Sequence, residues 1–183
     1  YPLVMKIISK EIQHKTEAGV VKLNIKTTAE AGQSYDELLR NATAYNPNAI
    51  VQGVLCYRMI GEPVAEAIVG VLSDPYFGPA VIFGLGGILV EIFKDRALLI
   101  PPFEREEVRR AIDSIKGSKL LYGFRGKPKG DIEALIDVIV KVGEMTVDLA
   151  GRIDALDINP LLILPEGKGV IAVDALVSIK RNS

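Results

Sequence analysis

An apolar stretch near the C-terminus carries polar residues at alternate positions, and this pattern constrains the fold strongly. Asp157 and Asn159 are two residues apart, so in a β-strand their side chains leave the same face, while their apolar neighbours face the other way. A second apolar stretch, 169–175, could return beside the first and place Asp174 next to this pair. The sequence therefore predicts two adjacent strands that bring three polar side chains together.

These three residues carry two carboxylates and one amide oxygen. Hard oxygen ligands suit Mg²⁺, which takes few protein ligands and leaves room for substrate phosphates. A metal site at Asp157, Asn159 and Asp174 is one interpretation. The other is a turn, because Asp, Asn and Pro in sequence also shape the backbone at strand ends. The spacing alone does not choose between them.

The composition excludes several classes of protein. The 183 residues include 22 basic and 23 acidic residues, which argues against a sequence-independent nucleic-acid binder. The single cysteine excludes an internal disulfide and fits a reducing cytoplasm. No apolar run approaches the roughly 20 residues of a membrane span, and no signal peptide is visible. The chain enters an apolar strand at residue 3 without a preceding methionine, so we expect an upstream segment.

Hydrophobic periodicity predicts an α+β protein. Helices are expected over 34–45, 104–115 and 131–150. Strands are expected over 3–8, 20–25, 49–60, 64–72, 80–83, 89–93 and 96–100, besides the two final ones. Short links between consecutive strands favour an antiparallel or mixed sheet. We expect the runs 49–60 and 64–72 to pair with each other. A basic, glycine-containing loop spans 117–130.

Lys6 and Glu66 are charged residues inside apolar strands. Lys6 could point into a cleft and hold a phosphate, or it could be an edge lysine that reaches water. Glu66 needs a partner if its strand is buried, such as a ribose hydroxyl or a cation.

His14 is the only histidine and lies in a polar loop. A lone loop histidine is typical of a protein surface. The alternative is a nucleophile that accepts and passes on a phosphoryl group, with Lys15 nearby to steady the charge. Residues 84–87 place three glycines after a strand, which either exposes backbone amides to an anion or forms a tight turn.

Five motifs occur in a fixed order along the chain. They are YPLVMKI (1–7), HKTEAG (14–19), VGV with DPYFGP (69–79), FGLGG with EIFKD (83–95), and LDINP (156–160) with Asp174. In this order they resemble the ATP-grasp domain of the ADP-forming (NDP-forming) acyl-CoA synthetases, which are relatives of the succinyl-CoA synthetase β subunit. The resemblance covers essentially all 183 residues.

The resemblance implies an ATP-grasp fold over 1–183, with two α/β lobes of mostly antiparallel sheet and without the family's N-terminal segment. It implies that Lys6 contacts the ATP phosphates, that the strand around Tyr57 holds adenine, and that Glu66 lies near the ribose. Asn159 and Asp174 would hold Mg²⁺, with Asp157 as a further or adjacent ligand.

The implied reaction is acyl-CoA + ADP + phosphate ⇌ carboxylic acid + CoA + ATP. His14 would relay the phosphoryl group from a phosphohistidine on a CoA-binding subunit or domain, so a hetero-oligomer or multidomain chain is expected. One rival is a carboxylate–amine ATP-grasp ligase, which does not need His14. Another is a nucleotide-sensing domain of a larger chain, such as an acetyltransferase fusion.

Overall fold

The computed structural model describes residues 1–12, 14–74, 76, 78–87 and 95–180. Its contacts divide the chain into two compact units, Tyr1–Gly61 and Glu62–Ser183. The strand expected over 89–93 lies outside the described residues. None of the helices that the structure describes has the length and apolar content that a membrane crossing requires.

The described residues of the N-terminal unit form a three-stranded antiparallel sheet and one helix. Strand β1 (Leu3–Ile8) lies in the centre and pairs with β2 (Val21–Ile25) and β3 (Gly53–Arg58). Helix α1 (Thr28–Tyr45) packs against β1 and β2. Their apolar side chains form the core of this unit, which includes Met5, Ile7, Ile12, Val20, Ile25, Leu38 and Ala42.

Helix α1 begins six residues earlier than the prediction of 34–45. The side chain of Thr27 accepts a hydrogen bond from the backbone N–H of Glu30 at 3.1 Å, which caps the helix. The helix buries Leu38 and Ala42. The first turns carry few apolar residues, so the hydrophobic period did not reveal them.

In the described part of the C-terminal unit, a six-stranded sheet is accompanied by two α-helices. The strand order is β6-β5-β4-β7-β8, and β9 pairs with β7 as well. The bounds are Ala65–Asp74 (β4), Gly78–Leu85 (β5), Arg96–Leu99 (β6), Ile153–Ile163 (β7), Val170–Ala172 (β8) and Ala175–Ile179 (β9). The helices are Arg105–Ser114 (α2) and Ile132–Asp148 (α3), and a 3₁₀ helix spans Lys116–Leu120.

The helices α2 and α3 pack against one face of this sheet. Their buried residues recur at helical spacing and include Val108, Ile112, Leu135, Ile136 and Ile139. The odd-numbered residues of β4 from Ala67 to Val71 face this core, so the even-numbered residues of β4 lie on the opposite face.

The expected pairing of 49–60 with 64–72 is wrong. Strand β3 pairs with β1, whereas β4 pairs with β5 and β7. The chain passes from one hydrophobic core to the other at Gly61, so each strand finds its apolar partners within its own unit. All strand pairs in the described part of the chain are antiparallel, as predicted.

Candidate functional site

Asp157 and Asn159 lie in the middle of β7, not at its end. Both are exposed, whereas the neighbouring Leu156 is buried and Ile158 is half-buried against the core. Strand β7 is paired on both sides here, with β4 and with β9. The same-face prediction is therefore confirmed, and a turn at a strand end is excluded.

A β-bulge lies at this point of β7. Strand β4 has one residue between Ala67 and Val69. Their partners on β7, Leu161 and Ile158, have two residues between them. The extra residue falls at 159–160. Bulges re-aim side chains and are common next to functional sites. The sequence signal was the proline at 160, because proline within a paired strand is largely confined to edges and bulges.

Asp174 lies directly beside the bulge. The backbone N–H of Asn159 donates to the carbonyl oxygen of Asp174 at 3.1 Å, and the N–H of Val173 donates to the carbonyl oxygen of Pro160 at 3.0 Å. The expected single strand over 169–175 is therefore two strands, β8 and β9, which part at 173–174. Asp174 is half-buried, and its Oδ1 accepts from the N–H of Ala175 at 3.1 Å.

We call Asp157, Asn159 and Asp174 the polar cluster. Each of the three side chains carries an oxygen atom that could bind a metal ion. Their backbones are neighbours, since Asp157 pairs with Leu176 and the N–H of Asn159 bonds to the carbonyl oxygen of Asp174. Within the described ranges, no three His, Cys, Asp or Glu side chains come close enough to form a metal site by themselves. Two carboxylates and one amide suit Mg²⁺, which keeps waters and phosphate oxygens in its shell.

Lys6 and Tyr57 meet in the N-terminal unit. The Lys6 Nζ lies 5.8 Å from the centroid of the Tyr57 ring, a cation–π distance. Lys6 faces Leu55 across the β1–β3 pair, and Tyr57 faces Val4, so the two side chains are diagonal neighbours. Strand β1 is the central strand, which excludes an edge lysine. Both residues are half-buried.

His14 is exposed in the loop between β1 and β2. Its carbonyl oxygen accepts from the N–H of Ala18 at 3.1 Å, and Lys15 accepts from Val20 at 3.0 Å. These bonds make the loop compact and leave the imidazole accessible. His14, Lys6 and Tyr57 belong to the N-terminal unit, whereas Glu66 and the polar cluster belong to the C-terminal unit.

Glu66 is exposed on the face of β4 opposite the helices. Gly70, on the same face, is the cross-strand partner of Asp157. Four residues of strand span about 13 Å, so Glu66 and Asp157 lie about that far apart along one sheet face. The carbonyl oxygen of Glu66 also accepts from the N–H of Gly86 at 2.6 Å, which brings the end of β5 against this residue.

A family model described as an ATP-grasp domain matches residues 1–179. The chain belongs to the ATP-grasp domain family. The resemblance and the fold expected from the five motifs are therefore confirmed.

This ATP-grasp domain is similar to β subunits of ADP-forming acetyl-CoA synthetases. It is 47% identical over 176 residues to the β subunit of ADP-forming acetate–CoA ligase I of Pyrococcus furiosus, covering 96% of this chain and 74% of that subunit.

Two structures of acetyl-coenzyme A synthetase 1 of Ca. Korarchaeum cryptofilum share the fold. One, in complex with coenzyme A, Ca-AMPCP and HgCl⁺, has a TM-score of 0.92 and 37% identity, and it covers 98% of this chain and 77% of that one. The other contains coenzyme A and Mg-AMPPCP, with the phosphohistidine segment pointing towards the nucleotide binding site. Its TM-score is 0.82 at 33% identity, with the same coverage of both chains.

Proposed function

We propose that this ATP-grasp domain binds ADP and ATP with Mg²⁺ as part of an ADP-forming acyl-CoA synthetase. The enzyme would interconvert acyl-CoA, ADP and phosphate with carboxylic acid, CoA and ATP. The observation that carries the proposal is the polar cluster, which presents oxygen ligands on the same sheet face as Glu66. The names of the related proteins supply the reaction class.

The residues of the N-terminal unit would hold the charged and aromatic parts of the nucleotide. Lys6 would donate to phosphate oxygens, and the contact with Tyr57 orients its ammonium group. The backbone of β3 around Tyr57 would hold the adenine. A half-buried lysine in a central strand is suited to this task, because the strand is paired on both sides and its neighbours fix the position of the side chain.

The residues of the C-terminal unit would hold the ribose and the metal. Glu66 would accept hydrogen bonds from ribose hydroxyls. Asn159 and Asp174 would ligate Mg²⁺, with Asp157 as a further or adjacent ligand. The bound ion supplies neutralisation of negative charge on the phosphates.

His14 would carry the phosphoryl group. A ring nitrogen of His14 would attack the phosphorus of a phosphohistidine, forming one N–P bond while the other breaks and frees the donor histidine. A β-phosphate oxygen of ADP would then attack the same phosphorus, forming ATP and releasing His14. The exposed imidazole in a compact loop supports this role.

The proposal requires a partner that binds CoA and carries the phosphohistidine. The partner is a separate subunit or a domain of the same polypeptide. The Pyrococcus relative is named as a β subunit, and the Korarchaeum structure contains a phosphohistidine segment. A sensor domain would bind nucleotide without forming a phosphoenzyme.

The test is ATP formation by the chain combined with its CoA-binding partner, supplied with ADP, phosphate and acetyl-CoA. We expect ATP formation by the wild type and its loss in His14→Ala, with ADP binding retained. Thr16→Ala, in the same loop, is the matched control and should remain active. ATP formation that persists in His14→Ala would exclude the relay role. Nucleotide binding with no ATP formation and no phosphoenzyme in the wild type would favour the sensor.

A further inference from the structure

The basic loop noted in the sequence, 117–130, and the preceding Lys116 together carry five cations and no acidic residue. These are Lys116, Lys119, Arg125, Lys127 and Lys129. Lys127 Nζ lies 3.9 Å from Glu62, and Lys129 Nζ lies 2.6 Å from Glu166. The Arg125 guanidinium instead lies over the Phe124 ring, 5.3 Å from its centroid.

Phe124–Lys127 form a tight turn, which we call the Arg125 turn. The N–H of Lys127 donates to the carbonyl oxygen of Phe124 at 3.1 Å, and the central residues have positive φ, 48° at Arg125 and 84° at Gly126. This is the pattern of a type I′ turn. Left-handed backbone is common for glycine but costs energy for arginine, and such strain concentrates at functional sites.

The Arg125 turn forms one wall of a cavity of about 350 Å³. Glu66 and Gly86 line it as well, and its apolar lining is Val64, Ala65, Leu85 and Leu120. Small-molecule sites range from about 300 to 1,000 Å³ and are mostly apolar with a few polar groups. This cavity suits a nucleoside-sized group and is too small for a whole coenzyme A.

The polar groups of the cavity are not paired with each other. Among the described residues, Glu66 forms no ion pair within 4 Å, although Arg125 and Lys127 line the same cavity. A ligand that contacts both Glu66 and Arg125 would donate hydroxyl hydrogen bonds to the Glu66 carboxylate and present a flat π face to the Arg125 guanidinium. A nucleoside has both, since guanidinium planes stack on nucleobases.

The positions of the cavity and the polar cluster along β4 are those expected for a bound nucleotide. The cavity is lined by residues 64–66 at the start of the strand, whereas the polar cluster lies near Gly70, about 13 Å further along. A nucleotide with its ribose at Glu66 and its phosphates towards the cluster would direct its base away from the cluster, towards the Arg125 turn.

We infer that the Arg125 turn is the nucleobase wall of the nucleotide site, where Arg125 stacks on the base of a nucleotide whose ribose is held by Glu66. The inference rests on the proposed function, and it assigns a binding role to a residue that none of the five motifs includes.

The test is calorimetry of the chain with Mg-ADP and with Mg-pyrophosphate, which lacks a nucleoside. We expect Arg125→Ala and Arg125→Lys to bind Mg-ADP about tenfold more weakly than the wild type, because lysine has no planar face to stack. Mg-pyrophosphate affinity should not change. Arg125→Gly favours the left-handed turn and should show the same loss with the backbone preserved. Arg110→Ala, an exposed arginine of α2, is the control and should match the wild type.

Wild-type Mg-ADP affinity in Arg125→Lys would overturn the inference, because a phosphate contact needs only the charge. Equal losses for Mg-ADP and Mg-pyrophosphate would also overturn it. Absence of Mg-ADP binding by the wild type would instead contradict the proposed function, and the inference with it.

Discussion

The backbone N–H of Asn159 donates to the carbonyl oxygen of Asp174 at 3.1 Å, across the bulge of β7. This bond joins two residues that are 15 positions apart in sequence (174 − 159) and fixes their backbones at adjacent positions. A metal site gains from such rigidity, because ligands that are already placed lose less entropy when the ion binds.

Removing the charge of Lys6 should weaken nucleotide binding. We expect Lys6→Met to reduce ATP and ADP affinity about tenfold, because charge-assisted hydrogen bonds contribute about 1.5–3 kcal/mol. Lys26→Met removes an exposed lysine from the same unit and is the control. Equilibrium titration with each nucleotide measures the effect. Equal affinity for Lys6→Met and Lys26→Met would exclude a phosphate contact at Lys6.

Adding a methyl group at Gly86 should disturb Glu66. A Cβ at this position would lie 3.1 Å from the Glu66 Cβ and 3.3 Å from its carbonyl carbon, so β4 must shift. We expect Gly86→Ala to lower the free energy of unfolding by about 1–3 kcal/mol and to weaken ADP binding. Urea denaturation and ADP titration measure the two effects. Gly61→Ala, which meets no atom within 4 Å, should change neither.

Asp131 should make stability depend on pH. Its carboxylate accepts from the N–H of Gly169 at 2.8 Å and from the N–H of Ala134 at 3.1 Å, and it is buried at the start of α3. The Gly169 bond, followed by the Ala134 bond, holds the pKa of Asp131 below its ordinary value.

Because the pKa of Asp131 is lower in the folded than in the unfolded protein, its carboxylate stabilises the fold at pH values above the unfolded-state pKa of about 4. This stabilisation is lost as the pH falls through the folded-state pKa. We expect Asp131→Ala to cost about 1–2 kcal/mol at pH 7, with the difference from wild type shrinking as the pH falls below about 4. Asp148→Ala, at the other end of α3, should be neutral or slightly stabilising. Urea denaturation at several pH values measures both. A constant difference for Asp131→Ala down to pH 2 would contradict the assignment.

The sequence predicted the structure best where the spacing of apolar residues and the chemistry of their neighbours indicate the same element. The stripe that includes Leu135 and Ile139 predicted α3, and the alternation around Asp157 predicted the exposed face of β7. Both patterns depend on residues that are near in sequence. The positions of Lys6 and Tyr57 beside each other depend on the register of β1 against β3, which local pattern does not specify.

The features that the sequence did not predict also depend on contacts between residues that are distant in sequence. The runs around β3 and β4 are equally apolar, and only the split into two cores decides that they do not pair. The bulge at 159–160 depends on how β7 matches β4, and the cavity depends on where the Arg125 turn falls against Glu66. The roles of Lys6, His14 and Glu66 remain predictions.

The most direct measurement is calorimetry of the chain with ADP, with and without Mg²⁺, for the wild type, Asp174→Ala and Asp154→Ala. Asp154 is an exposed carboxylate of the same strand β7 and controls for loss of one negative charge. We predict Mg²⁺-dependent ADP binding in the wild type and in Asp154→Ala, and a loss of about tenfold or more in Asp174→Ala. Wild-type, Mg²⁺-dependent affinity in Asp174→Ala would contradict the assignment of the polar cluster as the metal site.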